Sequence, residues 1–169
     1  MIVLFDADSL VWASCYNAND DLEEAKMKYE DSFNSILSRL SEYDLDIDSV
    51  ITFNNSKGNF RKILDPNYKA NRKGSVLPEI LEELHQHIKE EYGGISGFGI
   101  ETDDLIARYW NHIAKERGRD KVIIVALDKD YISYQHTYII IITIIYVYII
   151  FQNKKHYIIF ILKWWLETR

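Results

Sequence analysis

One cysteine, Cys15, two prolines and seven glycines are all that this chain of 169 residues has of those types. A single thiol excludes a disulfide framework within the chain and any all-cysteine metal site. So little proline and glycine excludes a linker-like or collagen-like polymer. A hydrophobic content of 47% excludes a chain too polar to bury a core. The length suits one core domain. The first residues, Met1-Ile2-Val3-Leu4-Phe5-Asp6, lack a basic stretch and reach an acid at once. That start predicts no secretory signal and a cytoplasmic setting.

Acid, glycine and proline also vanish from one part of the chain. Residues 1–130 hold 25 acids against 16 Lys and Arg, a formal −9, and all of the Gly and Pro. Residues 131–169 hold one acid, Glu167, against four bases, a formal +3. Twelve of those 39 residues are Ile and six are Tyr. The break predicts a globular domain over 1–130 and an atypical, β-prone tail over 131–169. The net charge of −6 supplies no whole-chain attraction to nucleic acid. It leaves nucleic-acid binding open, because acids gathered round metal ions are locally neutralised.

Periodicity gives the elements. Ile2–Phe5 and Ser49–Phe53 are short apolar strand candidates. Residues 20–41 carry apolar residues at helical spacing behind two acids, which suit a helix N-terminus. Residues 54–74 are polar and basic and predict a loop or partly ordered segment. An amphipathic helix is expected over Leu77–Tyr92, stopped by Gly93-Gly94. Thr102 is expected to cap a helix running to Glu116, with Gly118 as its stop. Lys121–Leu127 reads as a central parallel strand. Strands alternating with helices predict an α/β domain with a mostly parallel sheet.

Three acidic groups sit where strands end or helices begin. Asp6 and Asp8 follow the first strand, Glu101, Asp103 and Asp104 open a helix, and Asp128 and Asp130 follow the last apolar run. Ligands bind at the carboxyl ends of strands in open parallel sheets. Converging carboxylates repel unless cations relieve them, and Mg²⁺ or Mn²⁺ prefer such oxygen ligands. No His or Cys lies in these groups, which speaks against zinc. Two ions about 4 Å apart can activate a water and stabilise a leaving oxygen. Each acidic pair taken alone is also what turn and cap chemistry produces.

A basic segment complements the acids. Lys57, Arg61, Lys62, Lys69, Arg72 and Lys73 are interleaved with Phe60 and Tyr68. Cations hold phosphates and aromatics stack on unpaired bases. The same composition also describes a solvated polar loop.

In order, IVLFDADSL, ITFNNSKGNFRKILDPNYKANRKG, GIETDDLIARYW and VIIVALDKDY resemble the nuclease domain of the 5′-3′ exonuclease and flap-endonuclease family, in its bacteriophage form that includes phage ribonuclease H. The resemblance covers about residues 1–131. It implies a three-layer, PIN-like α/β domain with a mostly parallel central sheet. It implies divalent-metal-dependent hydrolysis of phosphodiesters near 5′ ends or flaps of DNA, or in RNA of RNA–DNA hybrids, in a host cytoplasm. By resemblance, Asp6, Glu101, Asp103, Asp104, Asp128 and Asp130 are metal ligands. Lys69 and Arg72 contact the scissile phosphate, Tyr68 stacks on the terminal base, and Arg61 helps hold phosphate. Lys57, Lys62 and Lys73 complete the nucleic-acid contacts.

Two departures stand out. Asn54-Asn55 occupies the place where the family has an acid after its second strand. Asn ligates through its carbonyl but brings no negative charge, so a weaker metal site is expected. The family's later part, with further Asp ligands and a helix-hairpin-helix, has no match here, so a truncated form is expected. In the tail, residues 138–151 are 14 nearly all apolar residues, short of the roughly 20 that span a bilayer. A hairpin turning near Asn153 is expected, and a membrane anchor over 138–162 is the lesser reading. The A/T-rich codons of Ile, Tyr, Phe, Lys and Asn favour an out-of-frame or intron-derived origin for the tail.

Two other functions compete. LFDADSL also fits the strand-D-x-D opening of haloacid-dehalogenase-like phosphatases, with Asp6 as nucleophile and Asp8 as general acid/base. A nucleic-acid-binding remnant without catalysis is the third reading.

Overall fold

Alternation along one strand organises the molecule. In the computed structural model, β1 (Ile2–Asp6) is buried along its whole length between β2 (Ser49–Phe53) and β3 (Val122–Ala126), parallel to both. Val3 and Phe5 face one side with Ile123 and Val125, and Ile2 and Leu4 face the other with Val122, Ile124 and Ala126. This is the period of two that a strand buried on both faces requires. The structure describes residues 1–42, 45–70, 76–127 and 131, and the backbone of 138–142, 146–153 and 156–163.

Helices cover both faces. On the first lie α1 (Asp8–Tyr16), α2 (Leu22–Ser41) and α4 (Leu81–Glu91). On the second lies α5 (Thr102–Arg117), through Ile106 and Ile113. The layers are therefore helix, sheet, helix, as expected of a PIN-like domain. In α2 the buried residues Ala25, Tyr29, Phe33, Ile36 and Leu40 recur at helical spacing. Each large side chain so removed from water contributes about 1.5–3 kcal/mol. Asp21 caps α2 by accepting from the N–H groups of Glu23 and Glu24, at 2.9 and 3.1 Å.

The sequence expectations need four local corrections. Residues 54–74 are not all loop: Asn59 caps a short helix, α3 (Phe60–Leu64), by accepting from Arg61 N–H at 2.8 Å. The helix expected from Leu77 starts at Leu81, beyond Pro78. Thr102 is not the cap of α5, since Glu101 holds that position and the Thr102 hydroxyl is used elsewhere. Helix α1 was unforeseen, because DSLVWASCY is apolar on too many sides to show a clean stripe.

The strand order is β2-β1-β3-β4-β5-β6. Strand β4 (Tyr138–Ile142) extends the parallel set beside β3, and β5 (Tyr146–Asn153) and β6 (His156–Lys163) are antiparallel, pairing Asn153 with His156. The chain leaves β1 for β2 on one side and returns to β3 on the other. The carboxyl end of β1 is thus a switch point, where open α/β sheets form their ligand crevice. Asp6 ends β1, and α5 begins beside it. Among the described residues, no helix is long and apolar enough to cross a membrane.

Candidate metal centre

Asp6 is 6% exposed. Its Oδ1 accepts from the Asp8 N–H at 3.2 Å and its Oδ2 from the Tyr131 hydroxyl at 2.7 Å. Burial pushes its pKa up to about 7, and the charges of Asp8 and Asp103 add to the rise. Among the described residues, no cation forms an ion pair with this buried carboxylate.

Glu101, Asp103 and Asp104 each offer a carboxylate oxygen, and these oxygens lie within 4.8 Å of one another. Glu101 sits at the cap of α5 with extended backbone, and the two Asp fill the first turn, where the helix dipole favours negative charge. Asp103 has a raised pKa, chiefly from burial and then from the charges of Asp104 and Glu101. Glu101 is lowered: partial burial opposes this, but hydrogen bonds from Lys69 and Tyr68 and the charges of Lys69 and Arg61 outweigh it.

The basic segment reaches these same acids. Arg61 Nη1 contacts Glu101 Oε2 at 2.8 Å and Asp104 Oδ2, and its Nη2 contacts Asp104 Oδ1 at 2.9 Å. The Tyr68 hydroxyl donates to Glu101 Oε2 at 2.9 Å, and Lys69 Nζ binds Glu101 Oε1. A turn about Pro66 delivers the last two, with Tyr68 N–H on the Asp65 carbonyl at 3.0 Å. Lys57 is further out, paired with Glu82 at 2.6 Å, and Lys62 is exposed on α3. Asp128, Asp130, Arg72 and Lys73 lie outside the described residues.

Two polar residues here are engaged within the protein. Asn54 is not turned toward a cation: its Nδ2 donates to the His85 carbonyl at 2.7 Å and its Oδ1 faces His85 Nδ1. Both ends of the amide are used in holding α4 to β2. Asp8 is a clamp, taking the Asn55 N–H on Oδ1 and the Thr102 hydroxyl on Oδ2, both at 2.6 Å. It ties the ends of β1 and β2 to the start of α5. Sequence reasoning missed Thr102 and His85 in these roles, and it missed Tyr131 against Asp6. The only signal for Tyr131 was its place directly after the D-x-D pair.

A family model, the 5′-3′ exonuclease N-terminal resolvase-like domain, matches residues 1–159. The chain belongs to that family. An exodeoxyribonuclease of Enterobacteria phage T3 is 31% identical over 133 residues, covering 75% of this chain and 41% of that protein. An exonuclease of Escherichia phage T7 is 30% identical over 133 residues, covering 75% and 42%. The chain thus spans about two fifths of the length of these relatives. No solved structure matches it.

The phosphatase alternative fails with this family match and with Asp8, whose two oxygens are committed to Asn55 and Thr102 rather than poised for proton transfer. The acids that remain fit a divalent cation: three clustered carboxylates, no thiolate, and a buried fourth carboxylate that makes no ion pair among the described residues.

Proposed function

We propose that this chain carries the catalytic core of a divalent-metal-dependent 5′-3′ exonuclease or flap endonuclease. Its substrate is DNA with 5′ ends or flaps, or the RNA of RNA–DNA hybrids. The observation that carries the reading is the meeting of Glu101, Asp103 and Asp104 with Arg61 and Lys69, beside a buried Asp6 at the carboxyl end of β1.

In this reading Asp6, Glu101, Asp103 and Asp104 hold Mg²⁺ or Mn²⁺, and Asp128 and Asp130 complete a second site. When bound, such ions activate water and stabilise the leaving oxygen of a phosphodiester. The protein's own part is positioning. Tyr131 and the Asp8 N–H fix the Asp6 carboxylate, and the Asp8–Thr102 bond fixes the start of α5 relative to β1. Lys69 and Arg61 exchange carboxylate for phosphate when a strand enters, and Arg72, by the family resemblance, contacts the same phosphate. Lys57, Lys62 and Tyr68 line the strand's approach, and Lys73 is a further nucleic-acid contact by that resemblance.

Purified protein is incubated with 5′-labelled flap DNA in Mn²⁺, beside an Asp103→Asn control. Cleavage that disappears in the control supports the nuclease. Binding of the flap without cleavage, by folded protein, makes the chain a nucleic-acid-binding remnant instead.

A further inference from the structure

Phe98 is 92% exposed, more than any other large apolar side chain among the described residues. Exposed aromatics are ordinary on loose loops, but this loop is clamped. Lys57 N–H donates to the Gly97 carbonyl at 2.9 Å, Gly99 N–H to the Lys57 carbonyl at 2.7 Å, and Phe60 N–H to the Gly99 carbonyl at 3.0 Å. Gly97 N–H reaches Ser56 Oγ at 3.0 Å. Glycine makes the clamp possible: a Cβ at Gly97 would lie 2.6 Å from Ile100 Cγ2. At Gly58, with φ +78°, it would lie 3.3 Å from the Gly99 nitrogen. The two segments are therefore held backbone to backbone by these bonds, and the Phe98 ring on one of them stands out in water.

The clamp also fixes where the ring stands. Phe98 is three residues before Glu101, and its partner strand leads through Phe60 into Arg61, which sits on Glu101 and Asp104. The facing segment is basic, although Lys57, Arg61 and Lys69 pair with Glu82, Glu101 and Asp104. Residues 57–69 carry Lys57, Arg61, Lys62 and Lys69 against the single acid Asp65, in a chain whose net charge is −6. The nearby aromatics are already engaged. Tyr68 donates to Glu101, with Arg61 and Lys69 5.9 and 5.2 Å from its ring centroid, and Phe60 has Arg61 at 4.9 Å. A clamped, open aromatic face on a loop paired with a basic segment is an arrangement that suits single-stranded nucleic acid, since every base has a π-face and every phosphate a charge.

We propose that Phe98 is a stacking platform for an unpaired base of the strand bound at the metal centre. The proposal rests on the nuclease reading above. It selects for substrates with single-stranded extensions over blunt duplex.

The test compares wild type, Phe98→Ala and Phe98→Trp by fluorescence anisotropy with Ca²⁺ in place of Mg²⁺. Three DNAs are used: a duplex with a four-nucleotide 5′ extension, the same duplex with abasic sites in the extension, and a blunt duplex. Phe98→Ala is expected to weaken binding of the first at least about fivefold, and to leave the other two within about twofold. Phe98→Trp is expected to restore the loss, and 2-aminopurine in the extension to be quenched by wild type and by Phe98→Trp alone. An unchanged melting temperature controls for folding, as the side chain touches little. Equal loss on all three DNAs, or no loss, overturns the platform while leaving the nuclease reading standing. Wild type that binds none of the DNAs overturns both. A Phe98→Ala chain that differs from wild type in sedimentation, but not in DNA binding, assigns the ring to a self-contact and also overturns the platform.

Discussion

Arg61 grips Asp104 with two nitrogens, and with one of them reaches Glu101 as well. One guanidinium thus contacts two of the three clustered acids and offsets one of their charges. A cation that enters must displace it, so guanidinium and metal compete for the same oxygens. Arg61→Ala is therefore expected to bind Mn²⁺ a few-fold more tightly than wild type in the absence of nucleic acid, measured by calorimetric titration. Raising the salt concentration should narrow the difference, since the pair is partly exposed. Weaker Mn²⁺ binding by the variant would mean that Arg61 instead holds the acids in register.

Asp6 makes a prediction about pH. Its pKa in the fold is about 7, above the ordinary 3.8, with burial as the main cause. Between those values the unfolded chain has released a proton that the folded chain keeps. Stability of the metal-free protein therefore falls as pH rises from about 4 to about 7 through this group, by an amount of the order of a few kcal/mol. Asp6→Asn should flatten that slope in urea titrations run at pH 5 and pH 8, and should be the more stable form at pH 8. An unchanged slope would show that Asp6 ionises freely in the fold.

Asp8 and Asp103 should part company. Asp8 accepts from Asn55 and Thr102, and its loss leaves a half-buried N–H and hydroxyl without their acceptor. Asp8→Ala is expected to cost about 1–3 kcal/mol of stability, with Thr102→Val giving a non-additive loss in a double-mutant cycle. Asp103 sits among like charges, which raise its pKa after burial has done so. Asp103→Asn is expected to be neutral or stabilising without metal, and to abolish cleavage. Equal destabilisation by both substitutions would make Asp103 a structural residue too.

The strands and the acid-bearing helix start were legible because their signals are local. Ile2–Asp6 and Val122–Ala126 are short apolar runs that end where the carboxylates begin. The division of labour among the acids was not legible. Asp8 differs from Asp6 only through partners 47 and 94 residues away, which no spacing rule reveals. Asn54 looked like a weakened ligand because its role depends on His85, 31 residues on. Segment 54–74 looked like loop because α3 has only five residues and no buried stripe. Its cations were read as phosphate contacts, and their direct contact with Glu101 and Asp104 is a tertiary fact.

Lys69 separates backbone from charge. Its φ is +56°, a left-handed conformation that costs an L-residue about 1–2 kcal/mol. Its ammonium nevertheless binds Glu101, and the Asp65–Pro66 turn holds it there. Lys69→Gly removes the cation and relieves the backbone, whereas Lys69→Ala removes the cation and keeps the strain. Lys69→Gly should therefore be the more stable variant by about 1 kcal/mol in denaturant titrations. Both should slow single-turnover cleavage alike, and by more than they weaken DNA binding, if the ammonium acts on the scissile phosphate in the transition state. Faster cleavage by Lys69→Gly than by Lys69→Ala would assign the effect to the backbone. Equal losses in rate and affinity would make Lys69 a ground-state anchor.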